Sequence, residues 1–132
     1  MAEIGDRVAR MNRTVTTVFL LAASAMAGDL TGKWSGTFKV DGGDHNVPQL
    51  FILKQRGKTL TGSGGPNAGE QYPIENGRID GNRAQFELTT GEWKFTYDLK
   101  QTLPDTLNGT LKLESVNDSR NARVSLTRTK GD

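Results

Sequence analysis

From Leu30 to Val40 the chain alternates without a break. Leu30, Gly32, Trp34, Gly36, Phe38 and Val40 fall on one side, and Thr31, Lys33, Ser35, Thr37 and Lys39 fall on the other. Successive side chains of a strand point to opposite faces, so a period of two predicts a strand with one buried face. The same period returns at Ala84, Phe86 and Leu88, at Trp93, Phe95, Tyr97 and Leu99, at Leu107, Gly109, Leu111 and Leu113, and at Val124 and Leu126. No segment beyond residue 27 carries a convincing helical period.

Turn chemistry falls between these runs: "DGGDHN" from Asp41, "RGK" from Arg56, "GGPNAG" from Gly64, "ENG" from Glu75, "DGN" from Asp80, "LPDT" from Leu103 and "NDSRN" from Asn117. Gly, Asn and Asp supply the positive φ that tight hairpins need. With "QLFILKQ" (Gln49 to Gln55), "TLTGSG" (Thr59 to Gly64) and a weak run from Tyr72 to Ile79, the chain is predicted to be all-β. About eight short strands joined by tight turns form a single antiparallel meander, and a sheet of that size closes into a small barrel. The "GGPNAG" stretch is expected to be a long flexible loop at the barrel mouth.

The side opposite the aromatic residues carries Lys33, Lys39, Lys94, Lys112 and Arg123. A lipid-facing barrel needs an apolar band there, so the barrel is expected to be water-soluble. "QLFILK" breaks the alternation, because Leu50 and Ile52 oppose Phe51 and Leu53 and leave both faces apolar. Either a loop or chain terminus covers the second face, or Leu50 and Ile52 serve self-association.

Residues 1–27 read as a signal peptide. Thr14 to Ala25 is apolar or small, Arg7, Arg10 and Arg13 precede it, and Ala25-Met26-Ala27 is the small-x-small pattern of a cleavage site. The run is shorter than the roughly 20 apolar residues of a membrane anchor. Met11-Asn12-Arg13 makes an ordinary start, so the first ten residues read as an upstream mis-start. The barrel domain is then 28–132, secreted or periplasmic, with no membrane insertion after cleavage and a bacterial host expected. Sequons at Asn108 and Asn117 are silent in such a host.

Loss of Arg7, Arg10, Arg13, Glu3 and Asp6 with the leader lowers the net charge from +2 to +1. No clustered basic face is present, so no nucleic acid is expected as a partner. The absence of cysteine removes disulfides, thiol nucleophiles and Cys-zinc sites together. His45 is the only histidine and sits in a Gly-Asp turn, where a solvated role is expected. Asp41, Asp44 and Asn46 offer oxygens, but their spacing departs from a calcium loop. "GKT" at Gly57 lacks the earlier glycine of a phosphate loop, and "TGSGGPNAG" lacks a following helix. Glu87, Glu92 and Asp98 fall outward or in turns, so no carboxylate pair faces a cleft. The chain is therefore expected to be no enzyme, with no metal and no cofactor.

The inward aromatic residues are the most informative group. Trp34, Phe38, Trp93, Phe95 and Tyr97 would line the interior as the wall of a site for a small apolar ligand at the open end of the barrel. Gly32, Gly36, Gly62, Gly64 and Gly109 share the inward phase. Inward glycine either permits the bends that close small barrels or leaves volume for a ligand, and bends around a packed core are preferred. A filled-core structural barrel that contacts protein or cell-surface polymer through its outer face is the alternative function.

"LTGKW" at Leu30 to Trp34 resembles the opening strand of avidin-type barrels and, more loosely, the G-x-W start of lipocalins. "LTGS" at Leu60, "WKF" at Trp93, and "SVND" at Ser115 followed by "RVSLTR" at Arg123 fall in avidin-like order over most of the chain. The whole pattern "LTGKW…LTGSGG…YPIENG…DG…F" is similar to a group of short exported bacterial barrels of no agreed function. The resemblance implies a calycin-type barrel with Trp34 plugging one end. Avidins hold biotin through an asparagine and serine after the first tryptophan, where this chain has Ser35-Gly36-Thr37, so the resemblance implies the fold and not that ligand.

Overall fold

The computed structural model describes residues 29–129; the signal-peptide reading of residues 1–27 lies outside them. Nine strands follow one another: β1 (Gly32–Val40), β2 (Val47–Arg56), β3 (Thr59–Asn67), β4 (Glu70–Pro73), β5 (Glu75–Asp80), β6 (Arg83–Thr90), β7 (Trp93–Leu103), β8 (Thr106–Glu114) and β9 (Ser119–Arg128). All pairings are antiparallel, and β1 pairs with β2 on one edge and β9 on the other. With β2 also paired to β3, eight strands close into a barrel and β4 extends it against β3. The meander read from the sequence is the observed fold.

Two local readings are corrected. "GGPNAG" is not a long loop, because β3 runs on through Gly64 to Asn67 and only Ala68 and Gly69 turn. Gly64 and Gly65 are held by partners on β2, at Phe51 and Leu50, and the Phe51 ring fills the space that a side chain at Gly64 would need. The Asn67 side-chain oxygen then accepts the Gly69 N–H at 2.9 Å and closes the turn. "ENG" is likewise not a hairpin turn. It is a bulge within β5, where Asn76 sits at φ 53° and the register against β6 shifts between Glu75 and Arg78. Asparagine tolerates that left-handed backbone better than most residues, so the strand bends there instead of ending.

The inward phase forms the core. Phe86 and Tyr97 stack at 4.9 Å, and Phe51 stands edge-on to both at 5.5 and 5.2 Å. Leu53, Leu60, Leu99, Leu107, Leu111 and Leu126 bury around them. Such offset and edge-on pairs add to the hydrophobic gain of burial. Gly36 shares the inward phase beside β9, and an added Cβ would overlap the Ser125 carbonyl oxygen. Gly62, at φ 131°, meets the Ile52 carbonyl in the same way. At both glycines the backbone of a neighbouring strand occupies the space that a Cβ would need.

One pole is sealed. Trp34 is fully buried, its indole N–H donating to the Leu30 carbonyl at 2.9 Å. The Arg128 guanidinium lies 4.5 Å from the centre of its ring. Arg128 also donates to the Asp105 carboxylate at 2.7 Å and to the carbonyls of Thr31, Asp29 and Pro104. A cation over an indole face, held by a carboxylate and three carbonyls, fixes the plug against the strands that surround it.

On the outer face Lys33, Lys39, Lys94, Lys112 and Arg123 are exposed. No helix among the described residues is long and apolar enough to cross a membrane. Leu50 is half-buried and Ile52 is 44% exposed, so the described residues leave that apolar pair largely uncovered.

Candidate ligand recess at the open end

The opposite pole opens into a recess of about 200 Å³. The end of β1 contributes Phe38, the start of β2 Val47 and Gln49, and the end of β3 Gly65 and Pro66. Leu88 and Thr90 come from β6, and Phe95 and Tyr97 from β7. Apart from the adjacent Gly65 and Pro66, each sits there because the period of two turns every second residue inward at the strand ends, where the core stops. Phe38 and Phe95 meet edge to face at 6.5 Å. The walls are therefore mainly apolar.

Polar groups mark the floor and the rim. On the floor the Tyr97 hydroxyl donates to Gln49 Oε1 at 2.6 Å, and the Gln49 amide donates to the Pro48 carbonyl at 2.9 Å. Burial pushes the Tyr97 phenol well above its usual pKa, because a phenolate there would be desolvated without a cation beside it. On the rim Tyr72 donates to Glu70 Oε2 at 2.6 Å. That bond to a carboxylate raises the Tyr72 phenol as well.

Tyr97 carries a pH consequence. Its folded-state pKa lies above the unfolded value of about 10, so above that pH the unfolded chain releases a proton that the folded chain keeps. Stability then falls as pH rises. Tyr97→Phe should flatten this alkaline loss in urea midpoints taken from pH 8 to 11.5. At neutral pH it should cost about 1–3 kcal/mol, because Gln49 Oε1 is left buried without its donor. An alkaline slope equal to the parent's would remove Tyr97 as its source.

Of the residues nominated from the sequence, Phe38, Phe95 and Tyr97 lie together on the recess. Trp34 lies at the sealed pole, remote from it. Trp93 is half-buried at the β6–β7 hairpin, opposite Thr90, and does not line the recess. Gln49, Glu70 and Tyr72 were not nominated. Gln49 had a readable signal, since it shares the phase of Phe51 and Leu53 and so places an amide among inward apolar residues.

The remaining charges of note serve structure or solvent. Arg83 binds Asp98 through two hydrogen bonds of 2.8 and 2.6 Å on the outer wall, and that guanidinium holds the Asp98 carboxyl below its usual range. His45 is almost wholly exposed, 3.6 Å from Asp44. Comparison with known protein families, curated proteins and solved structures returns no match for this chain.

Proposed function

We propose that the protein is an exported, non-enzymatic binding module that holds a small, largely apolar molecule in the recess at the open end of its barrel. One observation carries this reading: an apolar-walled hollow lies above a single buried polar pair, Gln49 and Tyr97, at the unsealed pole. Ligand sites are usually concave and apolar, with few polar groups to set orientation. At about 200 Å³ the hollow is smaller than the roughly 300–1,000 Å³ of drug-sized sites. A compact ligand, or one end of a longer one, suits it.

Export rests on the leader pattern of residues 1–27, and a kinship with avidin- and lipocalin-type barrels rests on "LTGKW" and the Trp34 plug. A second reading attaches to β2, where the uncovered Ile52 and half-buried Leu50 offer a small contact for another copy of the chain.

Native mass spectrometry of the protein purified from its own secretory route tests these readings together. The expected spectrum is a chain starting at Gly28 with a retained small mass that organic extraction removes. A bare polypeptide mass would remove the carrier reading and leave the filled-core barrel. A dimer mass that Ile52→Lys abolishes would support the β2 contact, and a monomer at every concentration would remove it.

A further inference from the structure

We propose that the molecule held in the recess presents a small organic cation, an alkylammonium group, to Phe38, Tyr72 and Phe95, with Glu70 as its counter-ion; this rests on the binding reading above. Four aromatic side chains, Phe38, Tyr72, Phe95 and Tyr97, line one small hollow beside a carboxylate, with Tyr97 at its floor. The electron-rich faces of aromatic rings attract ammonium groups, and rings gathered around a hollow are the usual means of holding a quaternary nitrogen without stripping away a full charge partner.

The charges favour the same ligand. Among the described residues Glu70 is the one Asp, Glu, Lys, Arg or His side chain on the lining. An anion would enter an apolar hollow with no cation to meet it and a carboxylate at the rim, which is unfavourable on both counts. Glu70 Oε2 accepts the Tyr72 hydroxyl, and its other oxygen has no protein donor among the described residues. One oxygen is thus oriented by the protein and the other is left for a ligand.

The surroundings point the same way. The connections around the open pole carry Asp41, Asp44 and Glu92, with Asp118 already paired to Arg120, and neither Lys nor Arg. The cations nearest these connections on β8 and β9 are engaged, Arg120 with Asp118 at 3.0 Å and Lys112 with Glu114 at 3.5 Å. Lys39 and Arg123 face the outer wall. Acidic residues around a low-dielectric mouth concentrate cations there and repel anions.

Isothermal titration of the exported protein with choline and with 3,3-dimethylbutan-1-ol tests the inference, because the two probes share a shape and differ in charge. Choline is expected to bind about tenfold more tightly, a preference in the range that several cation–π contacts and an exposed counter-ion supply together. Glu70→Gln and Phe95→Leu should each erode that preference by weakening choline more than the alcohol, and unaltered melting curves would show that both variants fold. Equal affinity for the two probes, or a preference that survives both variants, would overturn the cation and keep the recess as a binding site. If neither probe binds, a retained neutral mass in the native spectrum overturns the cation alone, and a bare polypeptide overturns both readings.

Discussion

Trp34→Ala is expected to lower the unfolding free energy by about 4 kcal/mol, within the range for truncating a buried tryptophan. Three losses combine. The fully buried indole leaves a cavity at the sealed pole, the Leu30 carbonyl loses its donor, and Arg128 loses the ring beneath it. A domain of this size is stable by only about 5–15 kcal/mol in total, so much of the margin goes. Trp34→Phe keeps an apolar ring and should cost less, roughly 1–2 kcal/mol for lost volume and the unpaired carbonyl. Urea unfolding read by circular dichroism measures both. A loss below about 1 kcal/mol for the alanine variant would mean that the indole is not packed as a plug.

The second large effect belongs to an addition. Gly36→Ala inserts one methyl group where β1 lies against β9, and that carbon would overlap the Ser125 carbonyl oxygen and come within 2.9 Å of the Leu126 Cα. Both are backbone atoms, so no side chain can swing away. The strands must separate at a point where β1 is paired on both sides. Overpacking of cores costs about 1–3 kcal/mol and more where backbone must move, and roughly 3 kcal/mol or outright failure to fold is expected here. Thermal melting of Gly36→Ala beside Ser35→Ala, an outward neighbour, separates this from general strand propensity. Equal melting temperatures would show that the barrel relaxes at this point.

The strands were legible in the sequence because apolar residues recur at every second position. That pattern survives anything the rest of the chain does. Gly64 to Asn67 hid a strand behind loop composition, since glycine and proline there answer to Phe51 and the β4 pairing and not to a turn. Asn76 hid a bulge behind a turn-like tripeptide for a similar reason: local sequence marks a positive φ, but only the pairing partner decides whether the chain reverses or bends. Closure itself, β1 against β9, joins the two ends of the barrel and leaves no local trace.

The recess was half legible. Phe38, Phe95 and Tyr97 followed from their phase, but phase does not report depth, and Trp34 shares it while sitting at the other pole. Gln49 was visible as a polar residue on an apolar phase. Glu70 gave no signal, because its role depends on the short turn that returns β4 beside β3.

The described chain enters and leaves the barrel at the same place. The Thr129 N–H donates to the Lys33 carbonyl at 2.8 Å, and Arg128 reaches back to the carbonyls of Asp29 and Thr31. Both ends therefore emerge beside the Trp34 plug, with the recess at the far pole. A support, fusion partner or surface tether joined at either end would grip the barrel by its base and leave the mouth pointing outward into the medium. Which pole faces away from the attachment is thus set by chain topology alone, whichever end carries it.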